Sequence, residues 1–141
     1  MAITSEATTQ WRGDLQSGSG RLDLDSSRAA QFNVDWRARS EGVAATTNPE
    51  ELLSAAHSSC FAMAFTDLLS DFGMPAESIQ VTAAVTFDPD EGITGSHLLV
   101  NGNVPGIEDH DFQHLAEEAK RTCPISRALV GIPITIEAQL V

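Results

Sequence analysis

Two cysteines, Cys60 and Cys123, are the residues of this chain whose settings could do chemistry. Cys60 lies in TNPEELLSAAHSSCFAMAFTDLL, residues 47–69, and Cys123 in KRTCPIS, residues 120–126. In a reducing compartment two such cysteines are catalytic or metal-binding rather than a permanent staple. The residue before a proline is pushed out of the helical region, so a helix arriving at Cys123 stops there and restarts at Pro124. Cys123 then caps the new helix, with free backbone N–H groups aimed at its sulfur. That setting lowers a thiol pKa from its free value of about 8.5. Arg121 and Arg127, close in sequence, are expected to add to it.

Two thiols so placed point to paired redox chemistry, with other readings open beside it. A structural disulfide closing so long a loop would contribute about 4 kcal/mol. A metal site wants about four ligands. His57, Cys60 and Cys123 supply three, while His97, His110 and His114 show no matching spacing. His57 and Cys60, at i and i+3, are also spaced as a base and nucleophile on one helix face, a hydrolase arrangement that leaves Cys123 unused. Alone, a cysteine on an apolar helix is an inert small hydrophobe, and an interior histidine bonds backbone.

The elements that position these groups can be read in order. Trp11, Leu22, Leu24, Phe32, Val34 and Trp36 fall at period-two spacing and predict half-buried strands, the third running from Gln31 to Arg39. Gly42–Thr47 is a loop. Asn48 then caps a long helix with Pro49 in its first position, and Glu50 and Glu51 favour the positive end of its dipole. Apolar on nearly every side, this helix is expected to be buried on nearly every side. It ends near Phe72–Gly73, before Pro75. Strands follow over Ser78–Phe87 and Ile93–Val100, joined by the DPDEG turn. A helix capped by Asp109 or Asp111 leads to Cys123, a short helix to Leu129, and a last strand covers Ile132–Leu140. The order βββ-α-ββ-α-α-β predicts an α+β fold of antiparallel strands packed on helices.

A chain of 141 residues, 42% hydrophobic, is expected to form a single domain over 1–141. Twenty acidic against 8 basic residues give a net charge of −12, which repels nucleic acid and anionic membrane. The sequence offers no run of about 18 apolar residues, so no membrane span is expected. The start, MAITSEATTQW, lacks the regions of a signal peptide, and the expected location is the cytoplasm.

TNPEELLSAAHSSCFAMAF and AKRTCPISRAL resemble the two signatures of the osmotically inducible protein C family, the OsmC/Ohr thiol peroxidases. The resemblance runs over essentially the whole chain, to GIPITIEAQL, and the AAH before Ser58 is closer to the OsmC branch than to the organic-hydroperoxide-resistance (Ohr) branch. It implies an intertwined homodimer, with strands wrapped around two central helices. It implies reduction of a hydroperoxide to an alcohol without metal, haem or flavin, and the apolar Phe61, Met63 and Phe65 around Cys60 point to organic hydroperoxides ahead of hydrogen peroxide. Cys60 would be the peroxidatic thiolate and Cys123 the thiol that closes a disulfide with it. An external dithiol, from a lipoylated or thioredoxin-like protein or a small thiol, would restore both. Arg39 stands where the OsmC branch places its activating arginine, and Glu50 where the family places the carboxylate that orients it; the Ohr branch draws its arginine from a stretch that here offers Arg21. Glu50 and Cys60 lie ten residues apart on one helix, about 15 Å along its axis. The simplest arrangement therefore takes Glu50 from the partner subunit. A non-catalytic member binding a small ligand in an apolar cavity is the other outcome the resemblance allows.

Overall fold

The computed structural model describes residues 1–42 and 45–141. The expected Gly42–Thr47 loop therefore falls partly outside the described residues, at Val43 and Ala44. The chain divides into two compact units, Met1–Pro49 and Glu50–Val141.

In the first unit, β1 (Thr8–Arg12), β2 (Ser19–Asp23) and β3 (Gln31–Val34) form an antiparallel sheet in that order. Trp11 pairs with Gly20 and Leu22 with Phe32. In the turn between β1 and β2 the Asp14 carboxylate accepts from the Ser17 amide and hydroxyl, which holds its pKa below the usual carboxylate range. Trp11 and Phe32, expected half-buried, are exposed at 38% and 36%. The third strand is shorter than its alternation predicts. It stops at Val34, and Trp36–Ser40 form a short helix, α1. Asp35 makes the difference, because its carboxylate accepts the Ala38 N–H at 2.8 Å as an N-cap. That local bond outweighs a two-pair apolar alternation.

The second unit is built on α2 (Pro49–Asp71). The helix begins at Pro49 as expected and ends on Gly73, whose φ of +84° favours glycine. Gly73 N–H donates to Ser70 O at 3.0 Å and Met74 N–H to Leu69 O at 2.9 Å, which satisfies two terminal carbonyls. β4 (Ser78–Asp88) and β5 (Gly92–Asn103) are antiparallel, with the Asp88 side chain capping the turn amides of Asp90 and Glu91. Then come α3 (Asp109–Thr122), α4 (Pro124–Ala128) and β6 (Ile134–Leu140). The N-cap of α3 is Glu108, without a side-chain bond, rather than Asp109 or Asp111, which lie inside the first turn.

The α+β class is borne out, but not every strand is antiparallel. β6 pairs in parallel with β5, Leu98 opposite Ile136 and Val100 opposite Ala138. A parallel neighbour needs a crossover rather than a hairpin, and α3 with α4 supplies it. Gln113 of α3 ties the crossover to the strand by donating to Ala138 O at 2.8 Å.

The core lies between α2, β5 and α3: Phe61, Phe65, Leu69, Leu98, Val100, Phe112, Leu115, Ala116, Ala119 and Cys123. Steps of four along α2 place His57, Phe61, Phe65 and Leu69 on one stripe, and the Phe65 ring meets Phe112 at 5.2 Å. Only that stripe is covered, so the expectation of burial on nearly every side fails for the single chain. Met63, on another face, is 74% exposed. Contrary to the sequence expectation, α2 is also long and apolar enough, by length and composition, to cross a membrane. Its packed stripe lies in the protein core, and 22% of that apolar stretch is buried.

Gly102 shows how tightly α3 lies on β5, since a Cβ there would sit 2.7 Å from Phe112 Cε2 and Cζ. Gly102→Ala is expected to cost about 1–3 kcal/mol by overpacking. Urea denaturation checks this, as a lowered midpoint with an unchanged slope.

Candidate active site

Cys60 is carried by α2 one turn beyond His57, and Cys123 by the break between α3 and α4. The break is a property of the CP pair. Pro124 forces Cys123 to φ −52°, ψ 125°, outside the helical region, while the Cys123 N–H still closes α3 on Ala119 O at 2.8 Å. The same residue therefore ends one helix and begins the next. Its side chain is fully buried and turns toward α2, and Cys123 Sγ stands 3.4 Å from Cys60 Sγ. Cys60 is half-buried, so it is the more accessible of the two thiols.

The electrostatics differ from expectation. The start of α4 serves Cys60 rather than Cys123, which makes no capping bond. Pro124 has no N–H to give, and the next amide, that of Ile125, acts on the Cys60 thiol. Burial pushes the Cys60 thiol up and is the largest influence. The Ile125 amide pulls it down, and the neighbouring Cys123 thiol pushes it up again. Arg121 gives no help, because its guanidinium is bonded through Nε and Nη2 to Glu118. Left to these groups, Cys60 is a protonated thiol near neutral pH.

His57 is fully buried and bonds two hydroxyls, neither of them backbone. Its Nδ1 lies 2.7 Å from Ser96 Oγ on β5 and its Nε2 2.8 Å from Ser126 Oγ on α4. Both ring nitrogens are thus committed, which removes His57 as a base for Cys60 and as a metal ligand. Burial pushes the imidazole below its usual pKa. Ser58 and Ser59 bond back to Ala55 O of their own helix. Among the described residues no three His, Cys, Asp or Glu side chains converge to hold a metal.

Glu50 sits buried, 6% exposed, in the first turn of α2. Since α2 is continuous from Pro49 to Asp71, Glu50 is about 15 Å along the axis from Cys60 of the same chain. Arg39 is half-buried in the last turn of α1. Arg21, on β2, pairs with Asp23 at 3.5 Å and donates to Gln31. A groove of about 560 Å³ runs between the outer face of α2 and the start of β4, lined by Ala62, Met63, Thr66 and Ile79 among others; neither sulfur lines it.

Ser96, Ser126 and Ile125 are absent from the sequence-derived site. The serines are 39 and 69 residues from His57 and carry no local signal. Ile125 was legible, as the first N–H after a proline at a helix start.

Residues 40–138 match the family model described as OsmC-like protein. Peroxiredoxin OsmC of Escherichia coli (strain K12) is 35% identical over 99% of each chain. The organic hydroperoxide resistance protein OhrA of Bacillus subtilis is 31% identical over 70% of this chain and 72% of its own. Among solved structures, an OsmC like protein from Mycoplasma pneumoniae superposes with a TM-score of 0.72 at 17% identity, over 100% of this chain and 99% of that one. That last likeness is one of fold.

The environment of His57 sets a pH dependence. The unfolded chain protonates this imidazole near its ordinary value of about 6.5, and the folded chain resists. Stability is therefore full above about 6.5 and declines as pH falls from there toward the depressed folded value. His57→Gln is expected to flatten the wild-type slope between about pH 7 and 5, read by urea denaturation at each pH.

Proposed function

This chain belongs to the OsmC-like protein family, and we propose on that premise that it is a cysteine-based peroxidase acting on organic hydroperoxides. The observation that carries the reading is the 3.4 Å approach of Cys60 and Cys123, held by two separate helices. The Cys60 thiolate attacks the terminal oxygen of ROOH, the O–O bond breaks, and ROH leaves with a proton. Cys60 is then a sulfenic acid. The Cys123 thiol attacks that sulfur, a disulfide forms and water leaves. Closing the bond takes the sulfurs from 3.4 Å to about 2.05 Å, a small movement. An external dithiol then exchanges with the disulfide and restores both thiols. No metal or organic cofactor enters these steps, and a reducing compartment, the cytoplasm, suits them.

The raised thiol of Cys60 defines what else the site needs. One amide does not offset burial, so a cation has to stabilise the thiolate and the departing alkoxide. Arg39 has this role in the reading, oriented by Glu50. Because Glu50 lies far along α2 from its own Cys60, the carboxylate comes from the partner subunit's Glu50, and the enzyme is a homodimer. The apolar outer face of α2 around Met63 is the surface such a partner would cover. Apolar surroundings favour organic over inorganic hydroperoxide.

The test is consumption of cumene hydroperoxide with excess dithiol. Cys60→Ser is expected to fall to the background rate of the dithiol alone. Cys123→Ser, given one equivalent of hydroperoxide without dithiol, should stop at the Cys60 sulfenic acid. One equivalent of oxidant should yield a Cys60–Cys123 disulfide within a single chain, seen by peptide mapping. A wild-type protein no faster than free thiol would overturn the peroxidase reading and leave a binding protein. For the shared site, Arg39→Gln should raise the pH at which Cys60 is alkylated, and sedimentation should find a dimer. A fully active monomer contradicts that arrangement.

A further inference from the structure

The redox steps above give no work to the buried line Ser96–His57–Ser126. Three polar side chains, exposed by 2%, 0% and 5%, have been taken out of water in this line. A neutral imidazole offers one donor and one acceptor, and each serine hydroxyl can play either part, so the line is internally satisfied. It joins β5 to α2 and α2 to α4.

The α4 end is the informative one. A helix of five residues cannot hold itself in place, so its position comes from tethers. Ser126 is the one residue of α4 that is buried. It follows Ile125 directly, whose amide meets Cys60, and stands three residues after Cys123. On the other side, His57 stands three residues before Cys60 on α2, on an adjoining position of the same helix face. The bond from His57 to Ser126 therefore runs beside both contacts of the Cys60 sulfur. An apolar pair of similar volume would fill the space but let a short helix slide, whereas a directional bond at 2.8 Å fixes its register.

We propose that His57 is a positioning residue for the thiol pair: through Ser126 it sets α4 against α2, and with it the approach of Cys123 and the aim of the Ile125 amide at Cys60. Ser96 is the anchor that keeps the ring turned toward α4. The proposal rests on Cys60 and Cys123 being a redox pair, and its test avoids peroxide turnover so that the two can fail separately.

Disulfide formation by diamide, followed by quenching and peptide mapping, is compared in wild type, Ser126→Ala and Ser126→Thr. Alkylation of Cys60 by iodoacetamide against pH is measured in parallel, and urea denaturation reports folding. Ser126→Ala is expected to slow disulfide formation about tenfold or more, since small displacements of reacting groups are costly. It should also move Cys60 alkylation to higher pH, and Ser126→Thr, which keeps the hydroxyl, should restore both. Disulfide formation at the wild-type rate in folded Ser126→Ala overturns the proposal, as does folded Ser126→Thr behaving like Ser126→Ala. Should Ser126→Ala not fold, His57→Gln and His57→Leu decide. The amide of glutamine keeps a donor and an acceptor and should retain most of the rate, while equal rates in the two variants overturn the proposal.

Discussion

A residue that precedes proline cannot comfortably remain helical, and the centre of this protein depends on that restriction at Cys123. It stops α3 at Thr122 and turns the thiol inward to within 3.4 Å of Cys60. It also starts α4 at once, so that the first available amide of the new helix reaches the Cys60 sulfur and the next residue reaches His57. Three contacts follow from one steric exclusion. Because α2 and α3 are pinned by the core through Phe61, Phe65 and Phe112, the turn has a fixed surface to act against.

The second constraint is electrostatic. In the proposed reaction Cys60 has to be desolvated enough to exclude water yet ionised enough to react, and burial works against ionisation. The chain is poor in positive charge to correct this, with eight basic side chains, and among the described residues Arg21 pairs with Asp23, Arg37 with Glu41, Lys120 with Glu117 and Arg121 with Glu118. Each such pair keeps its charge in a local, solvent-screened exchange. A thiolate at Cys60 is thus a demand made on a few specific groups and not on the general field of the protein.

What could be read from the sequence was what short-range chemistry determines. The ends of α2 follow from Pro49 and Gly73, the break at Cys123 from Pro124, and the β4–β5 hairpin from its alternation and turn. Misreadings came where two local signals competed or where no local signal exists. At residues 35–39 an apolar alternation predicts strand, while Asp35 offers an N-cap; the cap prevails because it satisfies a specific amide. The parallel direction of β6 is decided by the length of the crossover before it. The sequence points the helix-start amide at the nearest sulfur along the chain, whereas its influence falls on the Cys60 thiol of α2. The serines flanking His57 lie in other elements altogether, and serine has too many ordinary uses to announce this one.

The parallel pairing of β6 with β5 has a consequence for how the protein behaves when it is not fully folded. The chain must leave the sheet at Asn103 and return at Ile134, and Cys123 rides on that excursion. Docking the excursion and assembling the thiol pair are one event. While it is docked, Cys60 meets Cys123 at the very high effective concentration of a neighbour held in contact. Once it is undocked, that concentration drops to what a loose tether of 63 residues provides. The sulfurs then compete on ordinary terms with every other thiol in solution. In the proposed reaction, local order in the crossover would thereby select between a closed intramolecular cycle and mixed disulfides with foreign molecules.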